Sequence, residues 1–142
     1  MGNRAVITTT NKEMGVYVHW NGGRTSVEGF LAYCKMMGYR KPETDCYGWA
    51  RLVQTIANFF GSDGLSVGVD KYTSLDCDNW DNGVYIVKDW HVVGREFQRD
   101  EDEEVNLEDL TGMMLEINKC QPEGTQQPEE KVREAARQYM KE

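Results

Sequence analysis

The sequence predicts an α+β fold, in which an antiparallel sheet of about five strands carries two to three helices on one face, followed by a C-terminal tail helix. Short β-branched segments with period-two alternation occur in two groups, at residues 4–20 and 65–97. Helical periodicity occurs between these groups, at 25–38 and 45–60, and again at 106–117. At 142 residues the chain is long enough to form one domain around one core.

The N-terminal segment predicts a β-hairpin. Residues 4–10 are rich in Val, Ile and Thr, which favour strands, and residues 14–20 alternate between apolar and polar positions. The polar Asn11-Lys12-Glu13 between them is typical of a turn. The two strands are therefore expected to pair antiparallel.

Two helices are predicted next. In the first, Thr25 and Glu28 form a capping box and Gly38 ends the helix. In the second, Asp45 is the predicted N-cap and Gly61 the predicted stop. The second helix has one apolar stripe, which consists of Trp49, Leu52, Val53, Ile56 and Phe60.

Three strands and a helix are predicted in the second half, at 65–69, 84–87 and 91–97, with Asn106 as the N-cap of the helix. The segment from Asp76 to Gly83 is dense in turn residues and is expected to be a solvated loop. Asp76, Asp78 and Asp81 within it do not match the calcium-loop pattern, because Trp80 occupies the fifth position.

The predicted domain spans residues 1–120, and residues 121–142 are a linker and a short amphipathic tail helix. The linker is rich in Gln and Pro, and the tail helix has only a narrow apolar seam. So short a helix is marginal in water by itself. We therefore expect that residues 121–142 can be removed and leave a folded core.

Composition limits the classes of function. The net charge of −8 argues against a protein that binds nucleic acid directly, and favours either a basic protein partner or simple solubility. The sequence contains no apolar run that could cross a bilayer and no signal peptide, so a cytoplasmic location and no membrane contact are expected. The four cysteines form no CxxC pair, and neither a metal nor a cofactor is predicted.

One short motif suggests an enzyme. The sequence Asp45-Cys46-Tyr47-Gly48-Trp49 resembles the Asp-Cys-Ser-Gly-aromatic motif of papain-like cell-wall endopeptidases. His91-Val92-Val93-Gly94 resembles the strand that carries the catalytic histidine in that family. The resemblance implies a cysteine hydrolase with Cys46 as nucleophile and His91 as base. The favoured interpretation is that Cys46, three residues before Trp49, is a buried structural thiol.

A contact surface is predicted from aromatic and acidic residues. Trp80 and Trp90 lie in turn regions, where an aromatic residue has less reason to be buried, and Trp is frequent in binding hot spots. The segment from Glu96 to Glu116 contains nine carboxylates, and only Arg99 opposes them within it. Five are consecutive, and we call them the acidic loop: Asp100, Glu101, Asp102, Glu103 and Glu104.

The acidic loop has two interpretations. It is either a solvated surface, or a surface that imitates the phosphates of DNA or RNA and occupies a basic groove on another protein. The chain has a short Met-Gly-Asn-Arg-Ala-Val-Ile start, a compact aromatic-rich domain, an acidic balance and no complete catalytic set. In this general style it resembles small accessory proteins of bacteriophages and mobile elements, which implies a partner in the host cell, such as a defence protein. A further alternative is a small-ligand or nucleotide-binding module built on Asn21-Gly22-Gly23-Arg24 and the aromatic residues. The sequence leaves the oligomeric state open.

Overall fold

The computed structural model describes residues 2–61 and 66–142, and within them it confirms the α+β fold. Part of the strand predicted at 65–69 lies outside the described residues. The strands are β1 (Ala5–Thr9), β2 (Met14–Val18), β3 (Val67–Lys71), β4 (Val84–Lys88) and β5 (His91–Glu96). The helices are α1 (Arg24–Met36), α2 (Cys46–Phe60), α3 (Leu107–Cys120) and α4 (Glu129–Lys141).

The five strands form one mixed sheet in the order β3-β2-β1-β4-β5. The predicted hairpin is present, with Ile7 opposite Val16 in an antiparallel pair. The expectation of a purely antiparallel sheet was wrong in one pairing, because β4 runs parallel to β1. A tight turn forces its two strands to be antiparallel, whereas the long connection from β2 to β4 leaves either direction open.

The core lies between the sheet and the helices. Alternate residues of β1 and β2, together with Tyr85 and Val87 of β4, face α1 and α2 in one buried cluster. The opposite face of the sheet is also covered, since Val6, Thr8 and Val84 are fully buried. The segment after β3 crosses this face: Leu75 lies against Gly15 on β2, and the Tyr72 hydroxyl donates to Glu96 on β5 at 3.4 Å.

Two of the three predicted helix caps are present. The Asp45 carboxylate accepts from the backbone N–H groups of Tyr47 and Gly48, at 2.9 and 3.3 Å. The Asn106 side chain accepts from the backbone N–H of Asp109 at 2.8 Å.

The capping box at Thr25 was wrong, because α1 begins at Arg24 after Gly23. Tertiary contacts determine this start. Tyr85 donates its hydroxyl proton to the Gly22 carbonyl at 2.7 Å, and the Gly22 N–H donates to the Asn3 carbonyl at 2.8 Å. Glu28, the other member of the predicted box, accepts from Arg24 at 2.7 Å instead of from the helix start.

The tail helix α4 packs on the domain. Its apolar seam joins α1 and α3 in a second buried cluster, which contains Ala32, Leu110, Met114, Val132, Ala136 and Tyr139. The Tyr139 hydroxyl donates to the Trp90 carbonyl at 2.6 Å. The linker is held as well, since Gln121 is buried and donates to the Thr55 and Ile117 carbonyls. These contacts lead us to expect that removal of residues 121–142 destabilises the domain, in contrast to the expectation from the sequence.

Candidate functional site

The two tryptophans that were predicted to form a contact surface have different environments. Trp90 is only 2% exposed, and its indole N–H donates to the Tyr39 carbonyl at 3.1 Å, so its prediction as a contact residue was wrong. Its backbone occupies the turn between β4 and β5, but its ring belongs to the main core. Trp80 is 68% exposed, and the Arg99 guanidinium lies over its ring at 4.6 Å.

A buried amide organises the loop that carries Trp80. Asn79 is 1% exposed, and its side-chain N–H groups donate to the Asp76 and Gly83 carbonyls at 3.0 and 3.3 Å. Its side-chain oxygen accepts from the backbone N–H groups of Asp81 and Gly83, both at 3.1 Å. All the hydrogen-bonding capacity of the amide is used within the loop, so the backbone on both sides of Trp80 is fixed.

Phe97 is a surface residue that the sequence interpretation did not select. It follows β5, is 51% exposed and has a backbone φ of 58°. The chain around it runs beside the Trp80 loop: Gly83 packs against the backbone of 96–98, and the Arg99 N–H donates to the Asp81 carbonyl at 3.3 Å. The sequence feature that could have identified Phe97 is an apolar residue at the end of a strand, close to an acidic run. We call Trp80 and Phe97 the aromatic pair.

The acidic loop is anchored at its central residue. The Asp102 carboxylate forms ion pairs with Arg24 of α1 and Arg95 of β5. Arg95 is itself fixed, because its side chain is 9% exposed, its guanidinium lies over the Tyr85 ring at 3.7 Å, and its Nε donates to the Val84 carbonyl at 3.1 Å. Asp102 therefore holds the loop in place, and its carboxylate is engaged by two arginines.

The other four residues of the acidic loop face solvent. Asp100, Glu101, Glu103 and Glu104 are exposed, and none forms a hydrogen bond or ion pair with another described residue. Glu103 and Glu104 also line a groove of about 510 Å³, together with Glu28, Glu142, His91 and Tyr139. The structure thus presents four unpaired carboxylates on an anchored loop beside the aromatic pair.

The predicted cysteine–histidine pair is not assembled. Cys46 is exposed, so the expectation that it is buried was wrong. It is the first residue of α2, one turn before the buried stripe, and the buried thiol that packs on this helix is Cys34, at 3.6 Å from the Thr55 hydroxyl. In the described part of the chain no hydrogen bond joins Cys46 to His91.

His91 is occupied by other groups. Its Nε2 lies 3.1 Å from Lys35 Nζ and 3.2 Å from a Glu142 carboxylate oxygen, and its ring stacks on Tyr139 with centroids 4.1 Å apart. A base in a cysteine hydrolase must be within hydrogen-bond reach of the thiol. The observed contacts instead connect β5 to α1 and α4.

Gly22, one of the two glycines proposed to hold phosphate, has a packing role. A Cβ on Gly22 would lie 2.4 Å from the Asn3 carbonyl oxygen, so only glycine allows the β2–α1 connection to approach the start of β1 this closely. Arg24, the basic residue of the motif, is paired with Glu28 and Asp102. The motif therefore contributes to the fold, and the structure adds no support for a nucleotide site there.

The Trp80 loop also contains an ion pair whose contribution to folding stability should decrease at acidic pH. The Asp81 carboxylate accepts from the Arg4 side chain at 2.7 Å and from the Arg4 N–H at 3.0 Å, and these hydrogen bonds lower the pKa of Asp81. A lowered folded-state pKa stabilises the fold above the unfolded value, which is about 4, and this contribution is lost as the pH falls below it.

We expect Asp81→Asn to lower the melting temperature at pH 7, and to lower it less at about pH 3, because Asp81 is then mostly protonated in the unfolded wild-type chain and its ionised, paired form stabilises the fold less. Thermal unfolding followed by circular dichroism at several pH values measures this difference. Asp78→Asn is the control, since Asp78 is exposed and forms no ion pair with any residue that the structure describes. An equal decrease at both pH values would show that the ion pair is not responsible.

Comparison with known proteins identifies no relative of this chain. No protein-family model, curated protein or solved structure matches the chain. Among the described residues, no helix is long and apolar enough to cross a membrane, and no group of three or more His, Cys, Asp or Glu side chains is arranged to hold a metal ion. The site is thus defined by the acidic loop and the aromatic pair.

Proposed function

We propose that this protein is a binding protein, and that its acidic loop docks on a basic surface of another protein. One observation carries the proposal: Asp100, Glu101, Glu103 and Glu104 pair with no residue of 2–61 or 66–142, while Asp102 anchors the loop that presents them. A loop that serves only as a solvated surface does not require such an anchor. Fixing the loop before binding lowers the conformational entropy that association would otherwise cost.

The charge of the protein supports this role. A net charge of −8 repels nucleic acid and attracts basic surfaces, and it speeds their encounter at low salt. Carboxylates on an extended loop resemble the phosphates of a nucleic-acid strand in sign and exposure. We therefore propose that the partner is a protein whose basic groove normally holds DNA or RNA, and that binding inhibits it.

The resemblance to bacteriophage and mobile-element proteins suggests where the protein acts and on which kind of partner. In that setting the protein acts in the cytoplasm of a bacterial host, and the inhibited partner is a host defence protein. A hydrolase that uses Cys46 and His91 has less support, because His91 contacts Lys35 and Glu142. A nucleotide-binding role for the Gly22 segment has less support for the packing reason given above.

The triple variant Glu101→Gln, Glu103→Gln and Glu104→Gln tests the proposal. These substitutions remove charge from unpaired residues and keep the Asp102 anchor, so the melting temperature should stay within about 2 °C of the wild-type value. As baits in a bacterial lysate at low salt, the wild-type protein should capture a partner that the variant does not, and double-stranded DNA should elute it. Stopped-flow kinetics with that partner should show association slowed several-fold.

A charge-matched control separates the loop from net charge. Glu13, Glu116 and Glu123 are exposed and lie outside the acidic loop, and their replacement by Gln changes the net charge equally. This control should capture the partner at nearly the wild-type rate, and added salt should slow both proteins, because charges are screened beyond roughly 10 Å at 0.1 M ionic strength. Equal association rates for the two triple variants would refute a role for the acidic loop.

A further inference from the structure

Two exposed aromatic residues have unfavourable backbone conformations. Trp80 and Phe97 have φ values of 65° and 58°, in the left-handed region that bulky side chains rarely adopt. Glycine or asparagine would occupy these positions with less strain. The chain nevertheless places large apolar side chains there, and leaves them 68% and 51% exposed.

Trp90 shows how such strain is normally compensated. Its φ is 64°, but its ring is buried and its indole N–H donates to the Tyr39 carbonyl. Burial of a ring of that size contributes far more than the backbone strain costs. Trp80 and Phe97 have no comparable burial among the described residues, although the Arg99 guanidinium lies over the Trp80 ring.

We propose that the aromatic pair is the apolar anchor of the partner interface, and that the partner presents an apolar pocket bordered by Lys and Arg. The inference rests on the proposed function and specifies the chemistry of its partner. Bulky rings held on a rigid loop are typical of hot spots, where they fill a pocket on the partner. The acidic loop follows Arg99 directly in the chain, so its carboxylates would meet the basic border of that pocket.

The charge distribution selects a protein partner over two other occupants. A second copy of the chain would bring two acidic loops together, and like charges at an interface are repulsive. A nucleic acid would be repelled by the same carboxylates. A basic protein surface with an apolar pocket satisfies both the rings and the charges.

Trp80→Asn and Phe97→Asn test the inference, because asparagine tolerates the left-handed conformation and removes the ring. If the rings serve binding, both variants should keep the wild-type melting temperature within a few degrees. Tyr47→Asn is the matched control: Tyr47 is 55% exposed and also lies against an arginine, Arg40, at 4.9 Å, but it lies at the start of α2. Trp90→Asn serves as the reference for loss of a buried ring.

Defined peptides serve as the probe. One alternates Arg and Gly, and the other has Leu in place of the central glycines. The Leu peptide should bind the wild-type protein about tenfold more tightly in fluorescence anisotropy, and Trp80→Asn and Phe97→Asn should abolish that preference while Tyr47→Asn keeps it. Salt-dependent binding of the Arg-Gly peptide should persist in all three variants, because it depends on the acidic loop.

The outcomes distinguish the inference from the proposed function. If the Leu peptide binds no more tightly, or if the Asn variants keep its preference, the aromatic pair is not an anchor, although the acidic loop can still bind the Arg-Gly peptide. A fall in melting temperature as large as that of Trp90→Asn would make the rings structural and would also overturn the inference. If neither peptide binds at low salt, the proposed function fails, and the inference fails with it.

Discussion

A chain that ends at Cys120 is expected to be unfolded at room temperature. Truncation removes Val132, Ala136 and Tyr139 from the second cluster and exposes the residues of α1 and α3 that they cover. Burial of each large apolar side chain is worth about 1.5–3 kcal/mol, whereas a domain of this kind is stable by only about 5–15 kcal/mol in total. The hydrogen bond from Tyr139 to the Trp90 carbonyl and the contacts of Gln121 are lost as well.

Circular dichroism and urea unfolding of the truncated chain measure this effect. The control is the full chain with a protease site inserted at Gly124, an exposed position between α3 and α4. After cleavage, α4 should remain bound and the domain should stay folded, because packing and not chain continuity provides the stability. A cooperative transition of the truncated chain at the wild-type melting temperature would show that residues 121–142 are separable after all.

The parts of the fold that were predicted correctly depend on local patterns. Asp45 and Asn106 were recognised as caps because a side-chain oxygen at that position satisfies N–H groups of the next turn. The stripe of α2 and the alternation of the first hairpin likewise depend on neighbours in the sequence. The direction of β4 beside β1 depends on a contact between residues far apart in the chain, and periodicity carries no information about it.

The candidate site was predicted only in part, because some of its contacts also join residues that are far apart in the sequence. The acidic loop was visible as a run of charges, but Arg24, which pairs with Asp102, is 78 residues away in the sequence. The turn at Trp90 was correctly located, yet a turn describes the backbone and does not determine where the ring lies. Thr55 is polar and lies outside the predicted stripe of α2, but its hydroxyl donates to the Arg51 carbonyl at 2.9 Å, and the residue is buried.

Asn79→Ala is expected to destabilise the protein by about 2–4 kcal/mol, more than any surface substitution in the same loop. The alanine removes the four hydrogen bonds that the amide forms with the backbone. Gly83 is buried and its N–H loses this partner, whereas the Gly83 carbonyl keeps its hydrogen bond from the Val6 N–H at 2.9 Å. Unsatisfied buried polar groups retain their full desolvation cost, which is why one small side chain has so large an effect. Asp78→Ala, at the exposed neighbouring position, should change the stability by less than about 0.5 kcal/mol.

The same variant should also affect the aromatic pair, because Asn79 fixes the backbone that holds Trp80 in its left-handed conformation. We expect Asn79→Ala to increase the accessible conformations of that loop, and Trp80 fluorescence anisotropy, measured in a chain whose other tryptophans are replaced by Phe, to fall. Asn79→Asp keeps the two accepted hydrogen bonds but places a carboxylate against the Asp76 and Gly83 carbonyls. It should therefore be destabilised more at pH 7 than at pH 4, since protonation removes the buried charge. Equal stability of Asn79→Ala and the wild-type protein in urea unfolding would mean that the loop does not depend on this amide.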